Sequence, residues 1–220
     1  MKNIMTLSFV LIMVSMTQSC NVSKGLAGIS PATALNGVQA LLGGSTSNAL
    51  SSLAGNALGN AVLQNALPKE LSTITSLLGG SSAGNEALGL LNGAIASAVP
   101  GVASSVLGNA TNGIAASSAL DILQGGETGA TDFLQNAVGN QLSAALVPAI
   151  TKELGSNGGL DAITSALGSQ AAGLIGGNMP SIAQLVSSGA AKGIFDLMGN
   201  AEKAERANPT NPVLKDIFGS

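Results

Sequence analysis

The stretch LQNAVGNQLSAALVPAITKEL, residues 134–154, decides the fold class. Its large apolar residues recur at every fourth position, at Leu134, Val138, Leu142, Leu146, Ile150 and Leu154. This spacing places one apolar face along a long helix, and Pro148 within the stretch predicts a kink. A second set with helical spacing predicts another amphipathic helix near the C-terminus: Ile182, Leu185, Val186, Gly189, Gly193, Ile194, Leu197 and Met198.

The exposed face of that second helix is expected to carry charge pairs. Lys192–Asp196 and Glu202–Arg206 are each spaced i,i+4, so both pairs can form on a solvated helix surface. Together with Lys203 and Glu205, the second pair indicates a water-facing end of the helix and therefore a soluble body.

Signals for helix ends support an all-α chain. Helix starts are predicted at Ser30-Pro31, Pro68-Lys69-Glu70 and Ser118-Ala-Leu-Asp121. Helix ends are predicted at Gly79-Gly80, Gly125-Gly126 and Asn208-Pro209. Because period-two alternation is absent, no strand is predicted. We expect a compact all-α multi-helix bundle, a single domain over residues 30–220, with its weakest helical prediction in the Gly-, Asn- and Ser-rich segment 43–64.

The amino-acid composition excludes several kinds of functional site. Among 220 residues, aromatics make up 2% and charged residues 9%, so the core is expected to consist of Ala, Leu, Ile and Val. The chain has no His, the commonest general base, and a single Cys, which excludes an intrachain disulfide and a multi-cysteine metal site. A net charge of −3 leaves no basic footprint for nucleic acid.

The N-terminus has the pattern of a secretory signal peptide over residues 1–19. Lys2 precedes an apolar run from Ile4 to Met16, and Ser19 then precedes Cys20, the lone cysteine. The segment resembles a bacterial lipoprotein signal, although Thr17 departs from its usual leucine. This resemblance implies a lipid on Cys20, a lipidated tether over residues 20–29 and a periplasm-facing position in the cell envelope. Asn21 after the cysteine favours the outer over the inner membrane.

Three stretches carry a further resemblance. They are ALDILQGGETGATDFL at 119–134, AKGIFDLM at 191–198 followed by Glu202-Lys203 and Arg206-Ala-Asn-Pro209, and LKDIFG at 214–219. In this order they resemble the bacterial domain of unknown function 4197, over roughly residues 33 to 219. The sequence departs from that pattern at Asn92-Gly-Ala-Ile-Ala96, which lacks an Arg and a Glu, and at Gln135, where a basic residue is common. The resemblance implies an all-helical envelope domain and no known activity.

The densest polar cluster consists of Asp121, Glu127, Thr128, Thr131 and Asp132. One interpretation is a carboxylate site, in which Asp121, Glu127 and Asp132 bind a divalent cation or act as acid and base. The favoured interpretation is local: Asp121 belongs to one helix start, Thr128 caps the next helix, and Asp132 interacts with its dipole.

The sequence therefore predicts a lipid-anchored envelope protein with a non-catalytic structural or binding role. No catalytic residue, cofactor or metal site is predicted, the membrane is contacted through the lipid at Cys20, and no protein partner is indicated. The alternative is an envelope enzyme or a divalent-cation-dependent protein that uses the carboxylate cluster. A membrane-active, self-associating helical protein is a third hypothesis, suggested by the Gly and Ala content.

Overall fold

The structure, a computed structural model, describes residues 26, 28–53, 76, 80–167 and 182–219. Over these residues the chain forms helices and no strand, which confirms the all-α multi-helix bundle. The helices are α1 (Pro31–Leu53), α2 (Ser82–Asn112), α3 (Ala116–Gln124), α4 (Gly129–Ser156), α5 (Gly159–Leu167), α6 (Ile182–Ala207) and α7 (Pro212–Phe218).

Helix α4 is the centre of the bundle. It packs mainly against α2 and α6, while α6 also packs against α1, and α3, α5 and α7 cover the remaining faces of α1 and α2. The predicted stripe is confirmed: Leu134, Leu142, Leu146, Ile150 and Leu154 are fully buried, and Val138 is partly buried. The helix continues through Pro148.

The second predicted amphipathic helix is also confirmed as α6. Of its predicted apolar face, all residues are buried except Leu197, which is partly buried and still packs against the core. Small residues allow close packing in this aromatic-poor chain. A Cβ at Gly37 of α1 would overlap the end of the Ile217 side chain of α7, so glycine lets Ile217 pack directly against α1 in this conformation.

The predicted helix ends are partly confirmed. Ser30 Oγ accepts the backbone N–H of Thr33 at 3.1 Å, and α1 begins at Pro31. Helix α3 ends before Gly125, and Gly126, with φ of +93°, turns the chain towards α4. The start predicted at Ser118 is wrong. Its backbone N–H already donates to the carbonyl of Ala115, so Ser118 lies inside the first turn of a helix that begins at Ala116.

Helix α6 ends at Ala207, in agreement with the stop predicted before Pro209. In the weakly predicted segment 43–64, residues 43–53 belong to α1. Residues 54–64, the start predicted at Pro68 and the first glycine of the pair Gly79-Gly80 lie outside the described residues. The predicted signal peptide and Cys20 lie outside them as well. Within the predicted tether, Leu26 is buried and Ile29 packs against the core.

Helix α2 is the one described helix that is long and apolar enough to cross a membrane by length and composition alone. Core helices of soluble proteins meet the same criterion. In the bundle, Leu91, Ile95, Val99 and Leu107 of α2 are fully buried, and the helix packs against α4 and α5.

Candidate functional site between α4 and α6

A buried ion pair lies where α6 crosses the start of α4. The side chain of Glu202 is 0% exposed and that of Arg206 is 9% exposed. Arg206 Nε donates to Glu202 Oε1 at 2.8 Å, and Arg206 Nη2 lies 2.8 Å from the same oxygen. The prediction that this pair is water-facing is therefore wrong. Glu202 follows Met198 at i+4, so it continues the buried face of α6 rather than the exposed one.

Glu202 also caps helix α4. Its Oε1 accepts the backbone N–H of Ala130 at 3.0 Å, and its Oε2 accepts that of Thr131 at 2.7 Å. The first N–H groups of a helix have no partner within the helix, and its N-terminus carries a partial positive charge. The carboxylate of α6 therefore satisfies two orphan donors and the helix dipole together.

The prediction that the Thr128 side chain caps α4 is accordingly wrong. Thr128 occupies the N-cap position, but its side chain makes no capping hydrogen bond. Its ψ of 15° departs from the extended conformation in which a cap side chain reaches back to the helix, and Glu202 already holds the N–H groups. Thr128 Oγ1 instead donates to Asp132 Oδ2 at 2.9 Å.

Arg206 extends this junction to two further helices. Its Nη1 donates to the carbonyl of Leu123, in the last turn of α3, at 2.8 Å. Its guanidinium lies 4.9 Å from the centre of the Phe218 ring at the end of α7, a cation–π distance. We call Glu202 and Arg206 the inner pair. Through it, α3, α4, α6 and α7 share one set of charge-assisted contacts.

A neighbouring carboxylate fixes the loop between α6 and α7. Glu205 accepts the backbone N–H groups of Thr210 at 2.7 Å and Asn211 at 3.0 Å, and the Thr210 hydroxyl at 3.0 Å. Burial acts to raise the pKa of Glu205, but these donors and the charge of Lys215 outweigh it and hold that pKa below its ordinary value of 4.5.

A cleft of about 270 Å³ opens beside the inner pair. We call it the α4–α6 cleft. Its lining residues come from one face of each helix: Thr128, Thr131, Asp132 and Gln135 at the start of α4, and Phe195, Asp196, Gly199, Asn200 and Lys203 on α6. A Cβ at Gly199 would lie 3.3 Å from Cγ2 of Thr128, so glycine at this position allows the two helices to approach.

The structure brings part of the predicted polar cluster together. Thr128, Thr131 and Asp132 line the cleft, whereas Glu127 lies at its edge and pairs with Lys203 at 3.5 Å. Asp121 is exposed on α3 and does not line the cleft. In the part of the chain that the structure describes, no three acidic, His or Cys residues form a group that could hold a metal ion. Asp121, Glu127 and Asp132 are thus not assembled as ligands of one cation.

Comparison with known families identifies the chain. The sequence profile of a family described as "Protein of unknown function (DUF4197)" matches residues 28–219. The chain belongs to this family. The chain matches no curated protein and no solved structure. The DUF4197 stretches identified by resemblance, 119–134 and 191–206, meet in the fold: they supply the inner pair, both of its N–H partners and most of the cleft lining.

Sequence reasoning missed Glu202 as the central residue of this DUF4197 fold. One signal was available, since Glu202 lies at i+4 from Met198 and at i+7 from Phe195, in line with the apolar face. A charged residue in that line has to be paired if it is buried, and Arg206 is placed to pair with it. The contacts of Glu202 with Ala130 and of Arg206 with Leu123, by contrast, could not be predicted from local sequence spacing.

Proposed function

We propose that this protein is anchored to the cell envelope by a lipid on Cys20 and that its helical body has a non-catalytic structural or binding role. Support for the anchor comes from the sequence: the basic Lys2, the apolar run that follows it, the small Ser19 and the lone cysteine after it. Acyl chains add about 0.8 kcal/mol of membrane affinity per buried CH₂, so two or more chains give stable anchoring.

The proposal of a non-catalytic role rests on the hydrogen bonds of the buried Glu202 carboxylate. A general base needs a lone pair directed at a substrate proton. Both carboxylate oxygens of Glu202 instead accept helix N–H groups, and one also accepts Arg206. This buried acid is therefore committed to holding helices together, and the chain has no His that could take the role of base.

The anchor is tested on the full chain expressed in a bacterium that processes lipoproteins. Mass spectrometry of the N-terminal peptide is expected to show Cys20 as the first residue, carrying acyl groups, and density-gradient fractionation is expected to place the protein with the outer membrane. Cys20→Ala should lose the acyl groups, whereas the control Ser19→Ala keeps a small residue before the cysteine and should retain them.

A mature N-terminus at another residue, or an unmodified Cys20, would overturn the anchor. Acylation combined with recovery in the inner-membrane fraction would retain the anchor and overturn the assignment to the outer membrane.

A further inference from the structure

The chain joins the bundle only a few residues after the cysteine that is proposed to carry the lipid. Within the predicted tether over residues 20–29, Leu26 is buried in the core and Ile29 packs against it. Five residues therefore separate Cys20 from a side chain that is fixed in the bundle. Even when fully extended, the chain from Cys20 to Leu26 spans at most about 21 Å at roughly 3.5 Å per residue.

The start of α1 lies at the same end of the bundle as the end of α6. A Cβ at Gly37 of α1 would lie 3.7 Å from Cδ1 of Leu123. The Leu123 carbonyl in turn binds Arg206, in the last turn of α6. Farther along α1, the Thr46 hydroxyl lies 3.8 Å from the sulfur of Met198, which comes earlier in α6. The two helices are therefore antiparallel. We call the end with the start of α1 and the end of α6 the near end.

Helices α2 and α4 define the opposite, far end. Helix α4 is antiparallel to α6, because its start binds Glu202 whereas Gly139, farther along, lies beside Phe195. The side chain of Asn157, just after α4, donates to the carbonyl of Leu90 in the first third of α2. The end of α4 and the start of α2 thus share the far end. Helices α1 and α6, with 23 and 26 residues, separate the two ends by about 35–39 Å at 1.5 Å per residue.

The near end presents a largely uncharged surface. Residues 28–33, at the start of α1, and residues 207–213, at the end of α6 and the start of α7, contain no Asp, Glu, Lys or Arg. Glu205 is turned into the loop, where it accepts two backbone N–H groups. The exposed Lys215 and Asp216 of α7 offset each other in charge. Such a surface can approach lipid headgroups without the repulsion that unpaired carboxylates meet at an anionic membrane.

The sides of the bundle offer little for a bilayer to bind. Among the described residues, Phe133 is the single large apolar side chain that is exposed, at 39%. The exposed surface of α6 carries the ion pairs Lys192–Asp196 and Lys203–Glu127. Helices that lie in a membrane interface bind through a continuous apolar face, which one phenylalanine does not provide. A bundle that lay on its side would therefore gain little from the contact.

We propose that the bundle stands on the membrane, with its near end towards the lipid headgroups and its far end directed away from them. This inference rests on the lipid anchor within the proposed function and adds which surface meets the membrane. The short linker keeps the near end close to the acylated cysteine. Because the body cannot enter the bilayer, the far end lies farther out on average. The exposed Glu86, Lys152 and Asp161 of the far end then remain in water.

The test is energy transfer from a fluorophore on the acylated, full-length protein to an acceptor on lipid headgroups, in vesicles of phosphatidylethanolamine and phosphatidylglycerol. Acylated Cys20 has no free thiol, so a single introduced cysteine takes the label. Ala207→Cys at the near end and Ala83→Cys in the first turn of α2 are matched, since both alanines are exposed at a helix end. We expect about twofold or greater transfer from Ala207→Cys, because the two ends are separated by about 35 Å.

Equal transfer from the two positions would place the bundle on its side, and greater transfer from Ala83→Cys would reverse its orientation; either result would overturn the inference. A Gly/Ser insertion of about 20 residues after Ser23 lets the body rotate and should bring the two efficiencies close together. A contrast that is unchanged by the insertion would overturn the role of the short linker. Circular dichroism verifies that each variant folds.

The N-terminal mass of each sample reports acylation separately. An unmodified Cys20 would overturn the anchor itself, whereas acylation with equal transfer from both positions would retain the anchor and overturn the orientation alone.

Discussion

Two ion pairs on helix α6 have the same spacing and opposite surroundings. Lys192 and Asp196 form the outer pair, at 2.7 Å, with side chains 54% and 37% exposed. Glu202 and Arg206 form the inner pair, at 2.8 Å, with side chains 0% and 9% exposed. The i,i+4 rule predicted both contacts, but it could not distinguish a pair in water from one in the core.

The difference shows that the position of a pair around the helix decides its role. Exposed i,i+4 pairs contribute about 0.3–0.5 kcal/mol, because water and salt screen them. A buried pair gains little net stability from its formation, but removing one partner leaves an uncompensated charge in the core. The inner pair also holds helix ends that belong to α3 and α4, whereas the outer pair lies within α6 alone.

Removal of Glu202 is expected to have the largest effect. Glu202→Ala leaves the Arg206 guanidinium buried without a countercharge and removes the acceptor of two N–H groups in α4. We expect a loss of about 3–5 kcal/mol in the free energy of unfolding, measured by urea denaturation. Asp196→Ala, the matched change in the outer pair, should lose less than about 1 kcal/mol. Similar losses in the two variants would contradict the distinction drawn between the pairs.

The geometry of Arg206 is tested by a change that keeps its charge. Arg206→Lys retains a cation beside Glu202, but an ammonium group cannot reproduce the planar fork that also reaches the Leu123 carbonyl and stacks on Phe218. We expect a loss of about 1–3 kcal/mol, the effect of leaving one buried carbonyl unpaired. As a control, Lys192→Arg in the outer pair should be nearly neutral. If both changes proved neutral, the inner pair would need only charge and no defined geometry.

The contribution of Glu205 to stability, through the loop between α6 and α7, is expected to depend on pH. Because its folded pKa lies below its ordinary value of 4.5, its contribution to stability is present above that value and is lost as pH falls through the folded pKa. Glu205→Gln should therefore be less stable than the parent at pH 7, and the difference should shrink below about pH 4.5.

Urea denaturation at a series of pH values measures the effect. A constant difference between Glu205→Gln and the parent from pH 7 to pH 3 would remove Glu205 from the contacts that hold the loop.

The smallest effect is expected at Thr128. Since its side chain does not cap α4, Thr128→Ala should change the free energy of unfolding by no more than about 0.5 kcal/mol. Ser81→Ala is the matched control, because Ser81 Oγ accepts the N–H of Gly84 at 3.0 Å and is a true cap of α2; it should lose about 1 kcal/mol. A larger loss at Thr128 than at Ser81 would mean that Glu202 does not replace the local cap.

The sequence predicted what depends on spacing along the chain. The stripe from Leu134 to Leu154 defined the buried face of α4, and Ser30-Pro31 marked the start of α1, because these signals are complete within a few residues. The site was only partly predicted. Thr128, Thr131 and Asp132 were singled out, but the cap of α4 was assigned to Thr128, and Glu202, which forms that cap, was placed on the exposed face of α6. The bonds from Ala130 and Thr131 to Glu202 depend on how α6 is rotated against α4, and no local pattern encodes that rotation.

The cap of α4 also has a consequence for the order in which the chain can fold. Ala130 and Glu202 are 72 positions apart in sequence. Synthesis proceeds at about 5–20 residues per second, so the acceptor is made on the order of 4–14 s after the N–H groups that it binds. Until then the first turn of α4 depends on water for its hydrogen bonds. A chain that ends before residue 202 would lack this cap, and we expect the first turn of its α4 to be more sensitive to proteases.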